Sequence, residues 1–110
     1  MSGSPTLSLF VHLRALPAWL SLSRIARNQV IAEDVAPVIA KFHSASFRWF
    51  DAEAFTARCS DILLLENLDA RSASHVMEAL RDTRAFSVPY FELVDVFPAL
   101  EDGFRDYEAA

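Results

Sequence analysis

Charged side chains stand inside several apolar, strand-like runs of this chain, and any chemistry it performs would fall to them. His12 and Arg14 close the run from Leu7 to Arg14. Arg48 sits between Phe47 and Trp49, Glu66 ends the run from Ile62, and Asp95 interrupts Phe91 to Phe97. A charge in such surroundings is costly unless it is paired or opens onto a cavity. Each therefore marks either an internal polar network or a ligand site.

His12 and Glu66 are the first candidate pair. A carboxylate beside an imidazole orients the ring and favours its protonated form, giving a general base useful near neutral pH. The same groups could equally form a structural hydrogen bond. Arg14, Arg48 and Arg58 are candidate clamps, because a fixed guanidinium holds a carboxylate or enolate by two parallel hydrogen bonds. The competing use is internal pairing with Asp51, Glu66 or Asp95. Phe10, Trp19, Trp49 and Phe50 could line a pocket for a planar ligand, or fill core and interface. On this reading His12, Glu66 and Arg48 are the catalytic candidates, and Phe10, Arg14, Trp19, Trp49 and Phe50 the ligand-binding ones. Glu92 and Asp95 differ in strand parity and are expected on opposite faces, not as a carboxylate pair. Asp61, close after Cys59, works against a reactive thiolate. His12, His43 and His75 lack metal-ligand spacing, and neither metal nor cofactor is expected.

Composition narrows the function classes. The 110 residues make one domain, and 53% of them are hydrophobic, more than a small monomer easily hides. A second copy of the chain is the expected partner. The net charge of −5, with nine Arg and one Lys scattered along the chain, argues against nucleic acid as a partner. No apolar run approaches the roughly 20 residues that span a bilayer, so no membrane is expected. Met1 to Pro5 lacks the charged start and apolar core of a leader, and the single cysteine excludes an internal disulfide, so a cytoplasmic location is expected. Glycine occurs only at positions 3 and 103, which argues against a phosphate-cradling loop or dinucleotide fingerprint.

The elements that must position these residues follow from periodicity. Residues 6–15 alternate, with Leu7, Leu9, Val11 and Leu13 on one face and Ser8, Phe10, His12 and Arg14 on the other. Residues 17–43 have helical spacing, with Ser23 a plausible N-cap and a kink or break expected at Pro37. Residues 45–50 are a second strand, and 51–58 could form one helical turn capped by Asp51. Residues 61–67 are a third strand, central by its near-continuous apolar run. Asp69 caps a helix to about residue 85, and a fourth strand, 90–97, stops at Pro98. The core spans 6–98, and 99–110 is an acidic tail whose Leu100, Phe104 and Tyr107 share one helical face.

This order is the ferredoxin-like βαββαβ arrangement, an α+β fold with a four-stranded antiparallel sheet and two helices on one face. Its other face is bare, and a second copy across a two-fold axis would complete a dimeric α/β barrel. The segments Leu16–Leu20, Arg48–Asp61, Met77–Thr83 and Pro89–Phe104 resemble the darcynin family of small bacterial proteins, over roughly residues 6–108. One departure is Arg24-Ile25-Ala26 after Ser23, where relatives carry acidic residues. The resemblance implies the same fold and no established activity.

Two function classes remain. One is a small-molecule-binding barrel acting as a cofactor-free isomerase, cyclase or monooxygenase, with His12 as base and Arg48 or Arg14 stabilising an oxyanion. The other is a non-catalytic dimeric ligand-binding or interaction protein whose charges serve the interface.

Overall fold

The computed structural model describes residues 5–110. The reading of the N-terminus, Gly3 included, falls mainly on residues 1–4, outside the described residues. Four strands form one sheet: β1 (Leu7–Ala15), β2 (Ser46–Asp51), β3 (Asp61–Leu68) and β4 (Phe91–Leu100). Their order is β2-β3-β1-β4, and every neighbouring pair is antiparallel. β1 and β3 are central, as their apolar runs require. The architecture is the expected ferredoxin-like α+β fold.

The first crossover is broken into α1 (Pro17–Leu20), α2 (Arg24–Val30), a π-helical turn (Ile31–Val35) and α3 (Ala36–Ala40). Ser23 caps α2, its hydroxyl accepting the Ala26 N–H at 3.1 Å. The arginine and alanine that follow do not disturb that bond. Pro37 has no N–H to continue an α-helical ladder. The helix widens one turn earlier, where the Ala36 N–H bonds the Ile31 carbonyl five residues back, and helical residues run on without interruption from Arg24 to Ala40.

α4 (Ala70–Arg81) is capped by Asp69, whose carboxylate accepts the Ser72 N–H at 2.7 Å. α5 (Arg84–Ser87) follows as a separate short helix. Its Arg84 binds Asp34 of the π-turn through Nε at 3.0 Å and Nη2 at 2.9 Å, and its backbone N–H adds a third bond at 2.9 Å. These bonds from Arg84 hold the Asp34 carboxyl below the usual carboxylate range. They tie the two helical crossovers together.

The core lies between helices and sheet. Leu9, Val11 and Leu13 of β1, Leu63 and Leu65 of β3, and Val76 and Leu80 of α4 are all buried, which is the stripe the sequence periodicity marks. Asp51 ends β2 and caps no helix; after it the N–H groups of Phe55 and Thr56 bond the Ala52 carbonyl in a single turn that does not continue as a helix. β4 runs past Pro98 to Leu100, three residues beyond the expected stop. β4 is an edge strand, where a missing N–H need not break a ladder. The tail forms α6 (Gly103–Ala109), which has no buried residue.

Candidate functional site

The sheet separates the expected site residues onto two surfaces. Phe10, His12 and Arg14 of β1 lie on the bare face, opposite Leu64, Ile62 and the start of β3 on one side and β4 on the other. Arg48 and Phe50 lie on the same face, paired with Leu64 and Ile62. Trp19 and Trp49 lie on the helix side, where Trp19 is buried and each ring packs on Phe91, at 4.6 and 5.6 Å between centroids.

His12 and Glu66 do not meet. His12 stands opposite Ile62, whereas Glu66 is four residues further along β3, about 13 Å away at the rise of a strand. Glu66 instead accepts both Nε (3.2 Å) and Nη2 (2.9 Å) of Arg48 on its Oε1. Arg48 also lies over the Phe50 ring at 5.7 Å. The side chains of this pair are 60% and 28% exposed, so in the single subunit it is a surface pair.

Arg14 is occupied as well. Its guanidinium donates to the carbonyls of Ala57 at 3.2 Å and Arg58 at 2.7 Å, and its Nε lies 3.7 Å from Glu92. It fastens the β2–β3 connection to the sheet. Arg58 contributes its carbonyl to this clasp.

A bulge overturns the parity argument for Glu92 and Asp95. The β1–β4 register shifts between His12 and Leu13, so β4 carries one extra residue there. Asp95 ends opposite His12 and Glu92 opposite Arg14, which puts both carboxylates on the bare face. His12 also meets the Phe97 ring edge-on, 5.1 Å between centroids.

A cleft lies elsewhere, at the sheet end where β1 stops, β2 stops and β3 begins. It has a volume of about 590 Å³, within the range typical of small-molecule pockets. Trp19 and Trp49 give it aromatic walls, and Ile31 and Ala32 of the π-turn line it too. The helical wall carries Arg24, Arg27 and Asn28, and the sheet-end wall carries Asp51, Glu53 and Asp61. Arg27 donates to the carbonyls of Trp19 (3.2 Å) and Leu20 (3.0 Å) and lies over the Trp19 ring at 5.9 Å. The Trp49 indole donates to Asp61 at 2.7 Å. His12 lines neither this cleft nor the smaller one around His43 and Asn67.

Among the described residues no three His, Cys, Asp or Glu side chains converge to hold a metal ion. Nor is any helix there long and apolar enough to cross a membrane.

Sequence reasoning found the two tryptophans of this cleft but missed Arg24, Arg27 and Asp61. Arg24, Arg27, Asn28 and Ile31 recur at three- and four-residue steps along one helical face, and that spacing was the available signal. Asp61 carries no such signal, because only the β3 register turns it toward Trp49.

Comparison with known proteins agrees with the fold. A chlorite dismutase variant from Candidatus Nitrospira defluvii superposes with a TM-score of 0.72 at 14% identity, covering 99% of this chain and 46% of that one. The dimeric chlorite dismutase of Nitrobacter winogradskyi gives 0.67 at 14% identity, over 91% of this chain and 60% of that one. The chain thus spans about half the length of these proteins, and the likeness is one of fold. Darcynin from Chromobacterium violaceum is 49% identical over 66% of this chain and 92% of its own length. Darcynin 1 from Acinetobacter baumannii is 38% identical over 82% of this chain and its full length. The darcynin family profile, described as a domain of unknown function, matches residues 1–109, and the chain belongs to the darcynin family.

Proposed function

We propose that this protein is a homodimer that binds a small molecule, with the bare sheet face as the subunit interface and the Trp19–Trp49 cleft as the ligand site. The observation that carries this reading is the division of charges between the two surfaces. On the sheet face Arg48 is paired with Glu66, and Arg14 is used on Ala57, Arg58 and Glu92. In the cleft, among the described residues, no ion pair within 4.0 Å engages Arg24, Arg27, Asp51, Glu53 or Asp61. Ion-paired arginines suit a surface that another subunit covers, and a cleft that holds Arg24 and the Glu53 carboxylate without a partner among the described residues suits a charged ligand.

The dimer has further support. Phe10, Phe50 and Phe97 share the bare face and are 37%, 45% and 48% exposed. Four strands about 4.8 Å apart and some eight residues long present about 500 Å² of flat sheet per copy. Two copies reach about 1,000 Å² before side-chain relief is counted, the threshold for a specific interface. The tail adds to it, since a seven-residue helix is not stable alone and its Phe104 and Tyr107 are 60% and 80% exposed. A structural relative is named as dimeric.

A second reading keeps His12 as a general base, with Asp95 in the place first given to Glu66. The pairing of His12 with Asp95 across the strands favours it.

Light scattering of the full chain and of a chain truncated after Ala99 tests the assembly. A dimer that weakens on truncation is expected, and a stable wild-type monomer at micromolar concentration would refute it. Tryptophan fluorescence during a metabolite screen tests the ligand site, where binding should raise Tm by mass action. If hits shift Tm without moving the tryptophan signal, the ligand lies elsewhere.

A further inference from the structure

The cleft has two walls of opposite charge that do not touch. The helical wall brings Arg24 and Arg27, and the strand ends and the β2–β3 connection bring Asp51, Glu53 and Asp61. No ion pair within 4.0 Å joins the two walls among the described residues. Opposite charges held apart across an open cleft gain little from one another and leave hydrogen-bonding capacity for a ligand.

We propose that the ligand is zwitterionic, with a flat apolar body between the walls, as in an aromatic amino acid. The proposal rests on the ligand-site reading above and adds the class of ligand. An anionic group would dock on the arginine wall. Arg24 has no protein partner among the described residues, and Arg27 is fixed by the Trp19 and Leu20 carbonyls. A cationic group would dock on the acidic wall. Asp61 is held there by the Trp49 indole through one carboxylate oxygen and keeps the other, and the Glu53 carboxylate is unpartnered among the described residues. The body between them would lie against Trp19 and Trp49, which supply apolar, polarisable faces.

The separation of the two signs onto opposite walls, rather than the net charge of the site, favours a ligand that carries both. A simple anion would satisfy two arginines but face three carboxylates. A simple cation would satisfy the carboxylates but face the arginines. Only a ligand with both charges gains on both walls and leaves neither desolvated without a partner.

The test uses three matched probes: L-phenylalanine, 3-phenylpropionate, which lacks the ammonium, and phenethylamine, which lacks the carboxylate. Binding is followed by chemical shifts of the two indole N–H groups and by calorimetry at low salt. L-phenylalanine is expected to bind at least about tenfold more tightly than either analogue. Arg24→Gln should abolish its advantage over phenethylamine, and Glu53→Gln its advantage over 3-phenylpropionate. Both side chains lie at the surface, and unchanged far-UV circular dichroism checks the fold. If either analogue binds as tightly as L-phenylalanine, the zwitterion inference falls and the ligand site stands. If none of the three moves the indole signals, both fall.

Discussion

Replacing Phe97 by alanine should weaken self-association by about a thousandfold while leaving the single subunit folded. Phe97 lies on the bare face opposite Phe10 and is 48% exposed. With roughly 200 Å² of side-chain surface, about 100 Å² remains for a partner to cover. At about 25 cal/mol per Å² that is 2.5 kcal/mol, or about 2 once the retained Cβ is discounted. A two-fold interface counts each position twice, giving about 4 kcal/mol, which is three decades in Kd. Folding of the subunit should suffer far less, because the ring meets His12 only edge-on and is half solvated already. Sedimentation equilibrium across a wide concentration range measures the association, and denaturant unfolding of dilute protein measures the fold. Phe55, 92% exposed in the β2–β3 connection and off the sheet, supplies the control, since Phe55→Ala should leave Kd unchanged. If Phe97→Ala associates as tightly as the wild type, the bare face is not the interface.

Phe91→Ala should destabilise the subunit by about 3–5 kcal/mol in denaturant unfolding, because the ring is 1% exposed and packs on both tryptophans; the tryptophan emission should redden as both indoles lose that packing partner. Arg48→Ala should cost below about 1 kcal/mol in dilute, monomeric protein, as expected for an exposed pair. The loss should be larger at concentrations where the dimer forms, since the stranded Glu66 would then be covered. Asp34→Asn should lower stability at neutral pH and make its fall on acidification shallower. Hydrogen bonds from Arg84 depress the Asp34 carboxyl in the folded chain, so its contribution is present above about pH 4 and lost as pH falls through the depressed value. The stability gap between wild type and Asp34→Asn should therefore be full at pH 7 and shrink as the pH falls below about 4, and a gap that does not shrink on acidification would contradict the assignment.

The local pattern of the chain determined much of this molecule. Alternation in Leu7–Ala15 and the unbroken apolar run of β3 dictate two central strands. Capping by Ser23 and Asp69 was legible because an N-cap is a local hydrogen bond between near neighbours. The pairing of Arg48 was legible too, since two oppositely charged residues in neighbouring strands have few other places to go. What the sequence could not set was register. A single extra residue in β4 carries Asp95 to the face of His12, and simple period-2 counting cannot see a bulge that arises from pairing with another strand. Register likewise separated His12 from Glu66, which belong to adjacent strands but stand four positions apart. The cleft depended on tertiary structure altogether. Arg24 and Arg27 come from α2, while Asp51, Glu53 and Asp61 come from two strand ends and the connection between them. Only the packing of the first crossover over the sheet end sets those two groups of charges face to face.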